Sequence, residues 1–358
     1  MKRAQEFEVI VATLKRRHTG VTSTVAALIP EQAKRLEIAA LGPSVPAQWP
    51  RISWSDLFRH GFNPPPGKKF RIWHARRNLE ALTGLILRSV LGMPLKLVLT
   101  SAAQRRHSRW TNWLMRQMDA VVATSAETAN YIPVPAKIIS HGVDTARYFP
   151  AEDRSREWRS SGLPGRFGVA IFGRVRHQKG TDLFVEAMCR LLPKFPDFTA
   201  VIIGAVTPDQ IPFANNLKRI IAAAGLSERI RFLEERPAAE IPVWFRRMSI
   251  VVAPQRWEGF GLVPLEAMAS GCAVVATRVG AAHHIIVNEH TGYLVSPEDL
   301  DGLLSRLEVL MREPQLTVEV GHAGRNHVVN HFSIEREAAE LERVYESIWH
   351  GVDTGRNG

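Results

Sequence analysis

The feature that most constrains this chain is a regular alternation of short apolar, β-branched runs with helical stretches. Such runs are typical of parallel strands, which helices cover on both faces. In the N-terminal half, the predicted strands are residues 9–14, 36–41, 96–100, 120–124 and 137–139, and the predicted helices are residues 22–34, 75–91 and 108–118. In the C-terminal half, the predicted strands are residues 167–172, 199–203, 230–233, 250–253 and 273–276, and the helices are residues 182–192, 215–224, 242–247 and 264–270. Two such series predict an α/β protein with two Rossmann-like, doubly wound domains that face each other across a cleft.

The domain boundaries follow from the chain length and from one polar segment. A chain of 358 residues is long enough for two domains with separate cores. Residues 144–165 are rich in Arg, Ser and Pro and are interpreted as the linker. We therefore predict an N-terminal domain over residues 1–150 and a C-terminal domain over residues 151–332. We expect the last segment, residues 333–358, to form a helix that packs back on the N-terminal domain, followed by a tail.

Cysteine usage and hydropathy exclude several classes of protein. Cys189 and Cys272 lack the spacing of a disulfide framework, a zinc site or a redox motif. No apolar run reaches the roughly 18 to 20 residues needed to span a bilayer. The N-terminal run, residues 9–14, is shorter than the apolar region of a signal peptide. We therefore expect a cytoplasmic protein.

The positive charge of the chain is concentrated in its N-terminal half. The net charge of +11 divides into 22 Lys+Arg against 9 Asp+Glu in residues 1–150 and the remaining 24 against 26 afterwards, so the two halves carry +13 and −2. The basic clusters lie at residues 15–18, 68–71, 76–77 and 105–109. One cluster alone is typical of a solvated surface, whereas four in one half indicate a polyanionic partner. Nucleic acid, an anionic membrane surface and a phosphorylated substrate all remain open at this point.

A loop with phosphate-binding character follows the strand at residues 167–172. Residues 173–180 (GRVRHQKG) run from this strand to a helix, with Gly173 and Gly180 at the two ends. Glycines let a ligand approach the backbone, a helix N-terminus favours anions, and Arg174 and Lys179 can neutralise a diphosphate. The segment is neither a Walker loop nor a dinucleotide fingerprint. A surface turn with incidental charges is an equally good interpretation of the segment alone.

A second loop places two carboxylates around the start of a helix. Residues 258–266 (EGFGLVPLE) follow the strand at residues 250–253. Gly259 and Gly261 expose backbone amides, and Pro264 suits the first turn of the helix. We expect Glu266 to lie in that first turn, where it either offsets the helix dipole or accepts hydrogen bonds from a diol. Glu258 precedes the helix and has no dipole to offset, which favours a ligand-binding role for the pair.

No metal site is expected. The sequence has no carboxylate-rich D-x-D cluster, and His283 and His284 are adjacent, so we expect their side chains to point to different sides of any regular element. Serine nucleophile elbows, kinase signatures and zinc motifs are absent as well.

These segments together resemble the retaining glycosyltransferases of family 4, which have the two-domain B-type fold. The resemblance rests on residues 173–180 and 258–266, on residues 269–276 (ASGCAVVA), and on residues 141–144 (HGVD) before the linker. It covers about residues 120–347 and includes the family's signature of two glutamates separated by seven residues. It implies a nucleotide-sugar donor on the C-terminal domain and a saccharide acceptor on the N-terminal domain.

The resemblance implies roles for individual residues. Arg174 and Lys179 would hold the donor diphosphate and stabilise the leaving nucleotide, Glu258 would lie beside the transferred sugar, and Glu266 would bind the ribose diol. The implied catalytic residues are Glu258, Arg174 and Lys179. The implied donor-binding residues are these three with Gly173, Gly259, Phe260, Gly261 and Glu266. Two fixed cations can replace a metal ion, so no metal cofactor is expected.

The N-terminal half departs from the family pattern. The loop after the first strand has one glycine, Gly20, where the family often has a pair. The strand at residues 96–100 is followed by Ser101 rather than by the family's His-Asp, so His107 is the candidate for the sugar-contacting histidine.

Within the family, residues 73–78 (WHARRN) and 100–107 (TSAAQRRH) are similar to the lipopolysaccharide core mannosyltransferases of rhizobial type. That resemblance implies GDP-mannose as donor and the Kdo region of a lipid A precursor as acceptor. Arginines bind carboxylates and phosphates bidentately, which suits such an anionic acceptor. The predicted acceptor-binding residues are Lys15, Arg16, Arg17, Gly20, His74, Arg76, Arg77, Arg105, Arg106 and His107.

Other interpretations stay open. The apolar residues Leu79, Leu82, Leu85, Ile86 and Val90 form either a stripe that faces the core, which is favoured, or a surface that rests on an anionic membrane. Another nucleotide sugar and an exopolysaccharide or glycolipid acceptor would fit the same family. A basic nucleic-acid-binding protein is the alternative of a different class, although no nucleic-acid motif is present and we expect no nucleic-acid partner. We expect the enzyme to work peripherally at the cytoplasmic face of the inner membrane.

Overall fold

A computed structural model describes residues 6–15, 20–43, 45–46 and 48–351. The chain divides into two compact units. The N-terminal unit comprises Met1–Gly142 with Ile334–Gly358, and the C-terminal unit comprises Val143–Ser333. The division falls earlier than the predicted boundary at residue 150, because the segment after Val143 packs on the C-terminal unit. Tyr148, for example, accepts a hydrogen bond from Arg325 on its carbonyl at 2.8 Å.

The N-terminal unit is built on a six-stranded sheet in which every pair of neighbouring strands is parallel. The strands are β1 (Val9–Ala12), β2 (Ile38–Leu41), β3 (Arg71–Ala75), β4 (Leu95–Ser101), β5 (Ala120–Ala123) and β6 (Lys137–Ile138), in the order β2-β1-β3-β4-β5-β6. Strands β1, β2, β3 and β5 are buried along their whole length. Their apolar composition follows from this, since helices cover both faces of the sheet.

The helices of the N-terminal unit lie on both sides of this sheet. They are α1 (Gly20–Gln32), α2 (Trp54–His60), α3 (Asn78–Ser89), α4 (Arg109–Arg116), α5 (Ala126–Ala129) and the C-terminal helix α14 (Ile334–Trp349). Helices α1 and α14 pack together on one side, where Arg35 pairs with Glu342 at 2.9 Å. Helices α2, α3 and α4 pack on the other side.

The C-terminal unit has a second six-stranded parallel sheet. Its strands are β7 (Phe167–Phe172), β8 (Phe198–Ile203), β9 (Ile230–Phe232), β10 (Met248–Ala253), β11 (Ala273–Thr277) and β12 (Tyr293–Val295), in the order β12-β11-β10-β7-β8-β9. Its helices are α6 (Arg154–Arg159), α7 (Thr181–Leu191), α8 (Ile211–Ala223), α9 (Ile241–Arg247), α10 (Leu262–Ala269), α11 (Ala282–Ile285), α12 (Leu300–Arg312) and α13 (Pro314–His331). The strand order reverses direction between β7 and β10, and loops at such a switch point hold the ligands of doubly wound sheets.

The main error of the sequence interpretation is at β3, where residue 75 was predicted to begin a helix. Residue 75 is instead the last residue of β3, a strand that the sequence analysis did not predict. The first residue of this strand, Arg71, is buried and donates to the carbonyl of Phe7 at 2.9 Å. That charged residue interrupts the apolar pattern by which strands are recognised. Sequence analysis also missed β12 and helices α2, α5, α6, α11, α12 and α13. None of the helices in the described ranges is long and apolar enough to cross a membrane.

Candidate functional site

The loop after β7 brings two cations to the end of the central strand of the C-terminal unit. Gly180 is in the left-handed conformation (φ 69°), and a Cβ there would lie 2.0 Å from the carbonyl oxygen of Pro254. Only glycine therefore lets the loop pass this close to the end of β10. Lys179, just before it, forms an ion pair with Glu258. Arg174 is exposed and makes no hydrogen bond or ion pair within the described part of the chain.

Glu258 thus meets Lys179, although 79 positions separate them in the sequence. Its other carboxylate oxygen accepts from the amide of Gly259 at 3.0 Å. The pair leaves each side chain only partly exposed, at 17% for Lys179 and 21% for Glu258. A cation and a carboxylate are therefore held together at the ends of β7 and β10, beside the unpaired Arg174.

A network that sequence analysis missed fixes the Glu258 loop against the Lys179 loop. Arg256 binds both carboxylate oxygens of Asp182 at 2.8 Å and also pairs with Glu298. The side-chain amide of Gln178 donates through Nε2 to the carbonyl of Trp257 at 2.7 Å. Arg256 was overlooked because its partners lie far away in the sequence and no local motif marks them.

A second contact holds the other end of the Glu258 loop. Phe260 is buried, and its carbonyl accepts from the amide of Ala281 at 2.9 Å. Gly261 (φ 91°) then turns the chain into α10. The loop is anchored at both ends, so its backbone amides have fixed positions before any ligand arrives.

Glu266 lies in α10 but not in its first turn, which corrects the sequence prediction. The helix begins at Leu262, two residues before Pro264. Glu266 therefore does not offset the helix dipole, which acts mainly within the first turn. Its carboxylate accepts a hydrogen bond from the hydroxyl of Tyr148 at 3.0 Å. Burial raises the pKa of Glu266, and the Tyr148 hydrogen bond opposes that rise.

Tyr148 is a site residue that sequence analysis did not find. It is buried, its ring packs edge-on against Phe245, and burial with the nearby Glu266 charge raises the pKa of its hydroxyl. The hydroxyl therefore stays protonated and donates to Glu266. No sequence motif marks this contact, and the segment that carries Tyr148 was interpreted as the linker.

A surface cavity of about 450 Å³ borders the Arg174 loop. The amide of Val175 donates to the carbonyl of Ala205, one of its lining residues, at 3.0 Å. Glu234 and Glu235 are exposed at its rim, and neither forms an ion pair among the described residues. The other lining residues are Val206, Ile211, Ala214, Asn215, Lys218 and Phe232.

His74 was predicted to bind the acceptor, but the structure contradicts a direct role. Its exposure is 0%, and its two ring nitrogens lie 2.6 Å from the hydroxyl of Tyr345 and 2.8 Å from that of Thr100. Burial and the nearby Arg76 hold its pKa well below the usual range. His74 lies inside β3, so it joins the sheet to α14 instead of facing solvent.

Arg76 and Arg77 lie just beyond the end of β3, where Glu80 organises the turn. Glu80 is almost fully buried and accepts from the Arg76 amide at 2.8 Å, the Arg77 guanidinium at 3.1 Å and the Leu14 amide at 3.3 Å. The side chain of Arg76 is different. It is 8% exposed, and its Nε has no hydrogen-bond acceptor among the residues that the structure describes.

The remaining predicted acceptor residues are less constrained. Lys15, Arg105 and Arg106 are exposed, whereas His107 is partly buried, which together with Arg105 lowers its pKa. Gly20 begins α1, and Arg16 and Arg17 lie outside the described residues. The expectation that His283 and His284 diverge is wrong, because their ring centroids lie 4.2 Å apart.

Comparison with known proteins identifies the class to which this fold and site belong. The family description "Glycosyl transferases group 1" matches residues 154–327. The chain belongs to this family, as relatives aligned over nearly its whole length also show. The resemblance inferred from residues 173–180 and 258–266 is thereby confirmed, and the protein is a glycosyltransferase.

Two relatives are particularly similar. The chain is 47% identical over 345 residues to the lipopolysaccharide core biosynthesis mannosyltransferase LpcC of Rhizobium leguminosarum bv. viciae, which covers 96% of this chain and 97% of the relative. It is 44% identical over 348 residues to the corresponding LpsB of Rhizobium meliloti (strain 1021), which covers 96% and 98%.

Solved structures agree on the fold. Anabaena HepE in complex with UDP and glucose aligns with a TM-score of 0.77 at 17% identity and covers 96% of this chain and 100% of that one. The C-terminal domain of the glycosyl transferase group 1 family protein LpcC from Francisella tularensis is 42% identical with a TM-score of 0.53, and covers 54% of this chain and all of that domain. The predicted fold class is therefore confirmed.

Proposed function

We propose that this enzyme transfers mannose from GDP-mannose to the Kdo region of a lipopolysaccharide core or lipid A precursor, with retention of configuration and without a metal ion. The observation that carries the proposal is the meeting of Lys179 with Glu258 beside the unpaired Arg174. The names of the two rhizobial relatives support the sugar and the pathway.

The donor half of the reaction follows from these three side chains. The bond between the sugar's anomeric carbon and the diphosphate oxygen breaks, so positive charge develops on the sugar and negative charge on the leaving diphosphate. Arg174 and Lys179 stabilise the diphosphate, and the Glu258 carboxylate stabilises the oxocarbenium-like sugar. A phosphate oxygen of the leaving group takes the proton of the acceptor hydroxyl as the new glycosidic bond forms on the same face. Two fixed cations supply the charge that a metal ion would otherwise provide.

The cavity beside the Arg174 loop suits the base of the donor. Guanine presents two neighbouring donors, its ring N–H and its amino group, and a carboxylate accepts both in parallel. Glu234 and Glu235 supply such carboxylates at the rim. Uracil offers a single N–H and would use this rim less well, which favours a GDP-sugar over a UDP-sugar.

Replacing Tyr148 with Phe should weaken binding of GDP about tenfold, since it removes a hydrogen bond to a charged group. In this proposal the Glu266 carboxylate accepts the ribose hydroxyls. Without the Tyr148 hydroxyl, the pKa of Glu266 rises further, so the loss should be largest at low pH and shrink as the pH rises. Glu266→Ala should weaken GDP binding at least as much, and the affinity should not recover as the pH rises. Isothermal titration across a pH series measures both, with Tyr131→Phe as the exposed control. Equal affinity of Tyr148→Phe and the parent at every pH would contradict this role.

The acceptor is proposed to bind the basic residues of the N-terminal unit, including Arg76, Arg77, Arg105 and Arg106. A guanidinium as buried as that of Arg76 needs an anionic partner to offset its lost hydration. The Kdo carboxylate or a lipid A phosphate would supply that charge. His107 stays a candidate for contact with the sugar.

Arg76→Ala should therefore raise the KM for the acceptor roughly tenfold to a hundredfold while the KM for the donor stays within a factor of about two. Arg51→Ala is the matched control, because Arg51 is an exposed arginine of the same unit. Steady-state kinetics with each substrate varied in turn distinguish the two effects. An unchanged acceptor KM in a folded Arg76→Ala enzyme would refute this placement of the acceptor.

We infer further that the enzyme works at the cytoplasmic face of the inner membrane and has no nucleic-acid partner. A panel of nucleotide sugars with a Kdo-bearing lipid A precursor, with and without EDTA, tests the whole proposal. Transfer from GDP-mannose that persists in EDTA is expected. Transfer only from a UDP-sugar would overturn the donor assignment, and loss of activity in EDTA would overturn the metal-free mechanism.

A further inference from the structure

Three consecutive helices of the N-terminal unit leave large apolar side chains in solvent. Helices α2, α3 and α4 pack on one side of the sheet against a single core cluster. Their outward side chains are nonetheless strongly apolar, and such patches on a soluble domain mark interaction surfaces. The exposed residues are Trp54, Phe58 and Phe62 on or just after α2, Leu79, Ile86, Val90 and Leu91 on or just after α3, and Trp110 and Trp113 on α4.

Helix α4 has the most distinctive outer face. Trp110 and Trp113 are 48% and 43% exposed, and their rings stack with centroids 5.0 Å apart. Arg109 and Arg116 lie on the same face by helical spacing and are exposed as well. The opposite face carries Leu114 and Met115, which are buried in the core. The two tryptophans are therefore not part of the hydrophobic core.

Helix α3 extends this face. The side-chain Nδ2 of Asn78, at the start of α3, donates to the hydroxyl of Thr111 near the start of α4 at 2.8 Å. At the other end, Arg88 donates to the carbonyl of Gln117 at 3.0 Å. The two helices therefore lie side by side and run in the same direction. The predicted stripe on α3 divides: Leu82 and Leu85 pack against the core, whereas Leu79, Ile86 and Val90 face solvent, with Val90 74% exposed.

The charge around this face is positive. Between residues 51 and 119 the sequence has three acidic residues, Asp56, Glu80 and Asp119. Glu80 and Asp119 already form ion pairs with neighbouring arginines. Seven basic residues of this stretch are exposed and form no ion pair within the described ranges: Arg51, Arg59, Lys69, Arg105, Arg106, Arg109 and Arg116.

We propose that the outer face of α3 and α4, continued by α2, is a docking surface for an anionic lipid bilayer. Tryptophan suits the level of the lipid headgroups, where its ring is half apolar and half wet, and arginines pair with the phosphates around it. A second copy of this chain fits less well, since a two-fold interface would bring the same arginines against one another. The proposal agrees with a lipid-linked acceptor, but its observations are independent of the sugar transferred.

Flotation with vesicles of phosphatidylglycerol and phosphatidylcholine, compared with phosphatidylcholine alone, tests the proposal. The full-length protein should bind the anionic vesicles more tightly, and high salt should weaken that binding. Arg109→Gln with Arg116→Gln should lower the partition coefficient roughly 30-fold. Trp110→Ser with Trp113→Ser should lower it roughly tenfold or more. These four residues are exposed, so the variants should keep the thermal stability of the parent.

The control is Ile220→Ser with Val329→Ser, which removes two similarly exposed apolar residues from the C-terminal unit. It should bind vesicles as the parent does. The proposal is overturned if the parent does not bind anionic vesicles, if the control pair loses as much as the tryptophan pair, or if sedimentation shows a dimer that the tryptophan variants dissociate. Binding to DNA in place of vesicles would likewise overturn it.

Activity on a deacylated, water-soluble Kdo acceptor separates this proposal from the proposed function. The tryptophan variant should transfer mannose to that acceptor at the rate of the parent, because the docking surface takes no part in the chemistry. Vesicle binding without transfer to any acceptor would reject the proposed function and retain the docking surface. Transfer of mannose without vesicle binding would reject the docking surface and retain the proposed function.

Discussion

Replacing Lys179 with Met should lower kcat by about 10²- to 10³-fold, the cost of losing one preorganised group that stabilises developing charge. Lys179 pairs with Glu258 and belongs to the same loop as the unpaired Arg174, so its ammonium can be shared between that carboxylate and a bound diphosphate. The negative charge on the diphosphate grows as the sugar leaves, and the interaction is strongest at that point. The expected loss is therefore mainly in kcat.

The matched control for this prediction is Lys194→Met. Lys194 is an exposed lysine of the same unit that lies 3.6 Å from Glu308 and contacts no site residue. Its variant should retain the kcat of the parent. A folded Lys179→Met enzyme with a kcat within a few-fold of the parent would show that the leaving diphosphate is stabilised elsewhere.

Replacing Glu80 with Ala should lower the free energy of unfolding of the N-terminal unit by roughly 3 to 5 kcal/mol, the usual cost of removing one partner from a buried ion pair. The carboxylate is 1% exposed and accepts from the Arg77 guanidinium and two backbone amides. Its loss removes the acceptor of the Arg76 and Leu14 amides and the carboxylate partner of the Arg77 guanidinium. Glu80→Gln keeps the shape and one acceptor oxygen, so it should cost less.

Urea unfolding followed by circular dichroism measures this loss, and peptide-resolved hydrogen exchange assigns it to the N-terminal unit. Glu346→Ala is the control, because Glu346 is an exposed carboxylate on α14. If Glu80→Ala and Glu346→Ala unfold at the same urea concentration, the anchoring role of Glu80 is wrong.

Most of the fold and the donor loops could be predicted because their signals are local. Parallel strands can be recognised as apolar runs in the sequence, and the residues around Lys179 and Glu258 lie in glycine-containing loops at strand ends. Tyr148 and Arg256 could not be found in this way. Tyr148 meets Glu266 across 118 positions, and Arg256 meets Asp182 across 74, so only the folded chain shows either contact.

His74 shows how a sequence pattern can mislead. It stands two positions before Arg76, within residues 73–78 (WHARRN), whose histidine and two arginines were all predicted to bind the acceptor. The strand β3 ends at Ala75, however, so His74 lies inside the sheet and Arg76 lies beyond its end. One strand boundary therefore separates a structural histidine from a candidate ligand.

The structure distinguishes two groups among the positively charged residues of the N-terminal half. The +13 of residues 1–150 includes the near-buried Arg76, which is proposed to meet the acceptor, and the exposed arginines of α4, which are proposed to meet lipid. In these proposals the two sets of cations bind different anions. The net charge of −2 on the remaining residues is compatible with a nucleotide site in which Arg174 and Lys179 are proposed to bind the diphosphate.

The central claim is retaining mannosyl transfer from GDP-mannose to a Kdo-bearing acceptor. The most direct test is to incubate the purified enzyme with both substrates and determine the anomeric configuration of the product by NMR. GDP-mannose carries an α-linked mannose, so an α-mannosyl product together with free GDP is predicted. A β-mannosyl product, or no transfer of mannose from GDP-mannose to this acceptor, would contradict the account.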